Sequence, residues 1–259
     1  MVKPIPEILY EDNHLIAVNK PAGMLVQGDA SGRIHLMHQV KSFLREKYGK
    51  PGNIFLGLVH RLDRQVSGVV LFAKTSKAAS RLSAQFRERG VEKIYIAAVS
   101  LIPAAMPGGE PRRFTELAGH IAKEDGAPEL HDHETAETRP ARLEYALVTN
   151  RDRYALLLVR LHTGRKHQIR IQLSSAGMPV IGDARYGSTV RIMDDAMLLH
   201  AHTLIVTHPT SGAPLALCAP LPRRFGDFVP IDETVSSAIE DLIGGIARAR
   251  DAALRGELP

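Results

Sequence analysis

The run Val69-Val70-Leu71-Phe72-Ala73, entered through Ser67-Gly68, reads as a buried strand behind a tight turn. What leads into it, Leu58-Val59-His60-Arg61-Leu62-Asp63-Arg64-Gln65-Val66, places one carboxylate between two arginines at the mouth of a rigid element. Nearby guanidinium charge favours the ionised carboxylate, and a partly desolvated anion of this kind is a nucleophile or a base. An isolated Asp beside an Arg is ordinarily a salt bridge at a strand entrance. Here the rest of the chain argues for chemistry.

The charge pattern is the first reason. The formal net charge is +5 over 259 residues, but between Arg33 and Lys93 thirteen Lys and Arg face four Asp and Glu, a local excess of +9. A basic field around one acid suits a polyanion, with nucleic acid the leading candidate. The single cysteine, Cys218, excludes a disulfide scaffold and points to a reducing compartment. The opening residues hold no signal-peptide pattern, and no segment has the length and apolarity of a membrane span, so a cytoplasmic protein is expected. The absence of Trp and the few aromatics argue against a single-strand stacking platform.

Strands dominate the expected structure. Residues 8–18 form two strands around Asp12-Asn13, and 19–23 a second turn. Residues 34–48 have helical spacing and stop at Gly49, while Thr75 or Ser76 caps a helix carrying Ala79, Leu82 and Phe86. Residues 92–99 alternate as a strand with Lys93 and Tyr95 on one face. Residues 103–140, rich in Pro and Gly, read as long excursions with little core. A hairpin at 141–148 and 154–161 leads through His162-Thr163-Gly164-Arg165 into a helix at 166–175. Residues 198–207 pair with 213–218, and Asp232 caps a C-terminal amphipathic helix. The fold class is α+β, a mixed and largely antiparallel sheet with flanking helices. One catalytic domain is expected over 1–230, with 231–259 packed on it as a helix.

The second concentrated motif is His162-Thr163-Gly164-Arg165-Lys166-His167-Gln168-Ile169-Arg170. Cations at the opening of a helix suit phosphate, and Arg165, Lys166 and His167 are assigned to contact with a nucleic-acid backbone. Arg170 lies one helical face away, beside Ile169 and Leu173, so it is expected to point inward. A buried guanidinium needs an anion, and Asp63 is the candidate. His200 and His202, and His131 with His133, have spacings that metals use. Neither pair has further ligands in a rigid context, so no metal is assigned.

Taken together, HRLDRQVSG (60–68), EKIYIAAV (92–99), HTGRKHQIR (162–170), Gly182-Asp183 with Tyr186-Gly187, and LLHAHTLIVTHP (198–209) resemble the RluA-type family of RNA pseudouridine synthases. The opening ILYEDNHLIAVNKPAG (8–23) is similar to that family's start. The resemblance covers roughly residues 8–222 in the family's order. It implies the pseudouridine synthase catalytic fold, with Asp63 as the catalytic aspartate, Tyr95 as the active-site tyrosine and Arg170 as the arginine paired with the aspartate. It also implies extrusion of the target uridine, with Arg61 filling the vacated space. Where the family usually has Thr, this chain has Val66, so a hydroxyl hydrogen bond is missing or replaced.

The implied reaction breaks the bond from ribose C1′ to N1 and joins C1′ to C5, with no oxidation or hydrolysis, so no cofactor is expected. Attack on the ribose, attack on the base and elimination all remain open. Taken alone, Tyr95 reads as a core strand tyrosine; with the resemblance it supplies a flat surface for the base and a phenol suited to loss of the C5 proton. Extrusion costs a few kcal/mol, which contacts from Arg61, Arg64, Lys93, Arg165, Lys166 and His167 to RNA would offset. Ribosomal and transfer RNA are the expected partners of a monomeric enzyme. Because the motifs begin at residue 8, RNA selection is expected from the catalytic domain itself, partly through 103–140. The rivals are a non-catalytic RNA binder, a metal-dependent hydrolase using the histidine pairs, and a paired-carboxylate glycosidase, for which no second acid lies near Asp63.

Overall fold

The computed structural model describes residues 7–29, 32–49, 51–100, 112–122 and 128–257. In chain order the elements are β1 (Ile8–Glu11), β2 (Leu15–Lys20), α1 (Leu36–Tyr48), β3 (Gly57–Leu58), β4 (Ser67–Ala73), α2 (Ser76–Arg87), β5 (Glu92–Ser100), β6 (Thr115–Ala122), β7 (Leu130–His131) and β8 (Thr138–Arg151). There follow β9 (Tyr154–Leu161), α3 (Gln168–Ser175), β10 (Leu199–Thr207), β11 (Pro214–Cys218) and α4 (Glu233–Leu254). The class is α+β, with pairing that is mostly antiparallel. Two compact units divide the chain: 1–93 with 192–221, and 94–191 with 222–259.

In the first unit β4 is the central strand, and all seven of its residues are buried. It pairs antiparallel with β2 along its length. On its other side it meets β10 in parallel at its start and β3 at its end. β1 extends the sheet beyond β2, and β11 extends it beyond β10. Burial of alternate residues on both faces explains why Val69–Ala73 is continuously apolar. Val69, Leu71 and Ala73 share a core with Leu15, Ala17, Leu204 and Val206, and α2 closes it with Ala78 and Leu82. The Thr75 hydroxyl accepts from the Ala78 N–H, so α2 starts where the capping pattern indicates. Gly49 ends α1 in the left-handed conformation, φ +57°.

The second unit builds the antiparallel order β5-β9-β8-β6-β7. The β8–β9 turn is tighter than expected, because the strands continue to Arg151 and Tyr154 and leave Asp152 (φ +52°) and Arg153 to close it. The excursion expected over 103–140 is corrected across its described part. β6, β7 and the start of β8 pair there, and Ile121 and Ala141 bury against Ile171. The Pro and Gly content of the early residues masked an ordinary strand pattern further on; residues 103–111 and 123–127 lie outside those described. The helix expected from 166 starts at Gln168, because His167 is left-handed (φ +55°, ψ 18°) and cannot continue a helix backward. Asp232 caps α4, accepting from the Val235 N–H at 2.9 Å, and α4 packs on β8.

Gly68 decides how β4 meets β10. Its φ is +118°, and a Cβ there would run into the Ala201 backbone, with the Ala201 nitrogen and carbonyl carbon at 2.7 Å. No side chain is tolerated at this crossing. Gly68→Ala is expected to lose more than about 2 kcal/mol of stability, measured as a lowered urea midpoint with an unchanged slope.

Candidate active site

The loop between β3 and β4 runs into Ser67, the first residue of β4, and its backbone is pinned at successive residues. The Val66 N–H donates to the Asp63 carbonyl (3.1 Å), closing a turn around Arg64-Gln65. The Gly23 N–H donates to the Arg64 carbonyl (2.8 Å), and the Met197 N–H reaches the Gln65 carbonyl (3.4 Å). Val66 itself is buried, 3% exposed, so its branched side chain packs while its main chain makes the turn bond. The hydroxyl that the family usually carries there is therefore not needed to close this loop.

His60 and Ser67, the ends of the loop, are both anchored. His60 Nε2 accepts from the Leu71 N–H (2.9 Å), and its ring stacks on Phe86 with centroids 5.0 Å apart. Accepting at Nε2 requires the unprotonated nitrogen. Burial, helped by the Lys93 charge, pushes the His60 pKa down to about 4. His200 is fully buried. One ring nitrogen faces the Ala219 carbonyl (3.2 Å) and must carry its hydrogen there, leaving Nδ1 to accept from the Ser67 hydroxyl (2.9 Å). Burial lowers its pKa to about 4 as well. His202 is occupied differently, with Nδ1 at 2.8 Å from the Thr203 hydroxyl. Among the described residues no three His, Cys, Asp or Glu converge as a metal site.

Beneath the loop lies a group that the sequence reading treated only as part of a turn. Lys20 is fully buried at the end of β2. Its Nζ donates to the carbonyls of Pro21 (3.0 Å), Met24 (2.7 Å) and Arg64 (3.0 Å). Burial lowers its pKa to about 7, Asp63 acts to raise it, and Arg64 acts to lower it. A buried lysine was legible only as one polar residue in a strand otherwise apolar at 15–18. Of the sequence-assigned residues in this unit, Asp63, Arg64 and Lys93 are half-buried and Arg61 is exposed.

In the second unit Tyr95 lies on β5 opposite Val159, half-buried between the buried Ile94 and Ile96. Arg170 is buried as expected, 4% exposed. Asp183 supplies an anion that the sequence reading did not foresee. Arg170 Nε donates to Asp183 Oδ2 (2.6 Å) and Nη2 donates to Oδ1 (2.9 Å), a bidentate fork. Tyr186 covers the guanidinium, 4.8 Å from ring centroid to Cζ, and its hydroxyl meets His167 Nδ1 at 2.9 Å. The signal in the sequence is the motif Gly182-Asp183 with Tyr186-Gly187, whose acid and ring are the two groups that meet Arg170. Helix α3 is held by buried amides: Gln172 Nε2 donates to the Leu117 carbonyl (2.9 Å), and the Thr163 hydroxyl to Gln168 Oε1 (2.8 Å). Arg165 spends its Nε on the Pro140 carbonyl (3.0 Å), whereas Lys166 is exposed. Both precede α3 instead of lying in its first turn.

Comparison with known proteins identifies the family. Residues 14–175 match the RNA pseudouridylate synthase family model. The chain belongs to that family, of RluA type, and is an RNA pseudouridine synthase, an isomerase. It is 35% identical over 242 residues to tRNA pseudouridine synthase C of Pasteurella multocida, covering 87% of this chain and 95% of that enzyme. It is 33% identical over 238 residues to ribosomal large subunit pseudouridine synthase C of Buchnera aphidicola, covering 86% and 69%. The human RNA pseudouridylate synthase domain containing 1 shares the fold, with a TM-score of 0.70 at 21% identity over 93% of this chain and 96% of that one.

Two outcomes follow from the buried groups. His200 is neutral in the folded protein, whereas the unfolded chain takes up its proton near 6.5; stability is retained above that pH and lost as pH falls towards 4. The drop attributable to His200 is about 3 kcal/mol, and His60 acts in the same window. Urea unfolding at stepped pH should show His200→Gln reducing the proton uptake linked to unfolding by about one. Separately, Asp183→Ala leaves Arg170 without its bidentate carboxylate, and thermal or urea melts should report a loss of about 3–5 kcal/mol.

Proposed function

We propose that this protein converts uridine to pseudouridine in transfer RNA, with Asp63 as the nucleophile, Tyr95 beside the displaced base and Arg170 as the supporting cation. The observation that carries the reading is the pinning of 63–66 by main-chain bonds and by the Lys20 ammonium, which holds one carboxylate in a fixed place at low reorganisation cost. Such a carboxylate attacks without a cofactor. The C1′–N1 bond breaks, the uracil turns, C1′ joins C5 and the bond formed by the carboxylate is broken again, while the C5 proton is lost and N1 gains one, so the net change is an isomerisation.

Transfer RNA is favoured over ribosomal RNA by identity: the chain is 35% and 37% identical to the tRNA enzymes of Pasteurella multocida and Salmonella typhi, against 33% to the Buchnera ribosomal enzyme. Exposed Arg61 suits insertion into the stack vacated by the flipped nucleotide, and Arg64, Lys93, Arg165, Lys166 and His167 suit phosphate contact. The same reading has the enzyme acting as a monomer in the cytoplasm.

The test is a tRNA transcript incubated with wild type and Asp63→Asn. Pseudouridine should form with the first and fall at least about a thousandfold with the second, while the RNA dissociation constant changes less than about threefold. Turnover by Asp63→Asn within about tenfold of wild type would remove Asp63 from the chemistry, and modification of 23S but not tRNA transcripts would move the substrate to the ribosome.

A further inference from the structure

Burying an ammonium is expensive, and carbonyl groups alone do not require one. An amide or a water could satisfy acceptors at the turn 21–24 and at Arg64 without the cost of a desolvated full charge. Lys20 nevertheless sits fully buried with three carbonyls around Nζ, and only the protonated amine has three N–H bonds to give them. The charged side chains coupled to it are Asp63, which favours the ammonium, and Arg64, which opposes it. Coupling is mutual, so whatever Asp63 does for the ammonium, the ammonium does for the anionic form of Asp63. The third carbonyl belongs to Arg64, the residue after Asp63, so the same nitrogen also fixes the backbone from which that carboxylate extends.

We propose that Lys20 is a positioning residue for the reaction, an internal positive charge that both favours ionised Asp63 and ties its loop to the end of β2. This rests on the reading of Asp63 as the reacting carboxylate. Lys20 does not touch the nucleotide in this proposal; it acts through Asp63 and Arg64.

Lys20→Met keeps the length of the side chain and removes charge and donors together. Single-turnover modification of a tRNA transcript, followed from about pH 5 to about pH 9, separates the two contributions. Loss of the tether lowers the rate at every pH. Loss of the charge adds a deficit that grows as pH falls, so the shortfall of the variant is larger at the acid end of the series than at the alkaline end. The Asp63 carboxyl resonance of RNA-free protein, labelled with carbon-13 and assigned with Asp63→Asn, should titrate at correspondingly higher pH. An acid limb and an Asp63 titration both unmoved in a folded Lys20→Met protein would overturn the proposal. If Lys20→Met does not fold, the Nζ resonance of wild type decides. An ammonium signal across the active pH range supports the internal charge, and an amine signal at the pH of highest activity refutes it. Should Asp63→Asn retain activity, the function of Asp63 fails on that result alone, whereas the carboxyl titration still reports whether Lys20 acts on it.

Discussion

The crossing of β4 and β10 is what makes the loop carrying Asp63 possible. Two parallel strands approach so closely at Gly68 and Ala201 that no Cβ fits between them, and the neighbouring pair, Ser67 and His200, lock through a hydroxyl and a neutral imidazole. Because that contact fixes the start of β4, the residues just before it cannot drift. Asp63 is four residues from Ser67, and every intervening step is tied by main-chain bonds to Gly23, Met197 or the loop itself. Rigidity at the strand is thereby transmitted to a carboxylate that is only half-buried.

Electrostatics then differ between the two units. In the first, a buried lysine faces carbonyls and one nearby acid, and the imidazoles of His60 and His200 are kept neutral by burial, each accepting one hydrogen bond at an unprotonated nitrogen. In the second, the charge of Arg170 is matched at once by Asp183 and shielded by Tyr186. That guanidinium is held in orientation, since its Nε edge is committed to Asp183 and its plane is set by the ring above it. His167, strained into the left-handed region, contributes by holding the Tyr186 hydroxyl.

Much of this was legible before any coordinates. The strands at 8–11, 15–20, 67–73, 92–100 and 154–161, the caps at Thr75 and Asp232, and the stop at Gly49 follow from patterns that local physics imposes. The motifs also placed Asp63 at a strand entrance and Arg170 on an inward face. Less legible were the strands at 115–122 and 130–131, where the neighbouring prolines and glycines outweighed a short alternating pattern, and the start of α3, where a left-handed His167 carries no compositional signature.

By itself the sequence determined the periodicities, the turns and the identity of a family whose motifs recur in order, because these depend on residues close along the chain. Only the tertiary structure decided that Lys20 is an interior charge, that Asp183 holds Arg170, and that Gly68 is demanded by a strand more than a hundred residues away. Burial and hydrogen-bond partnership are properties of where distant segments meet. A lysine reads the same in a sequence whether its ammonium ends in water or among three carbonyls.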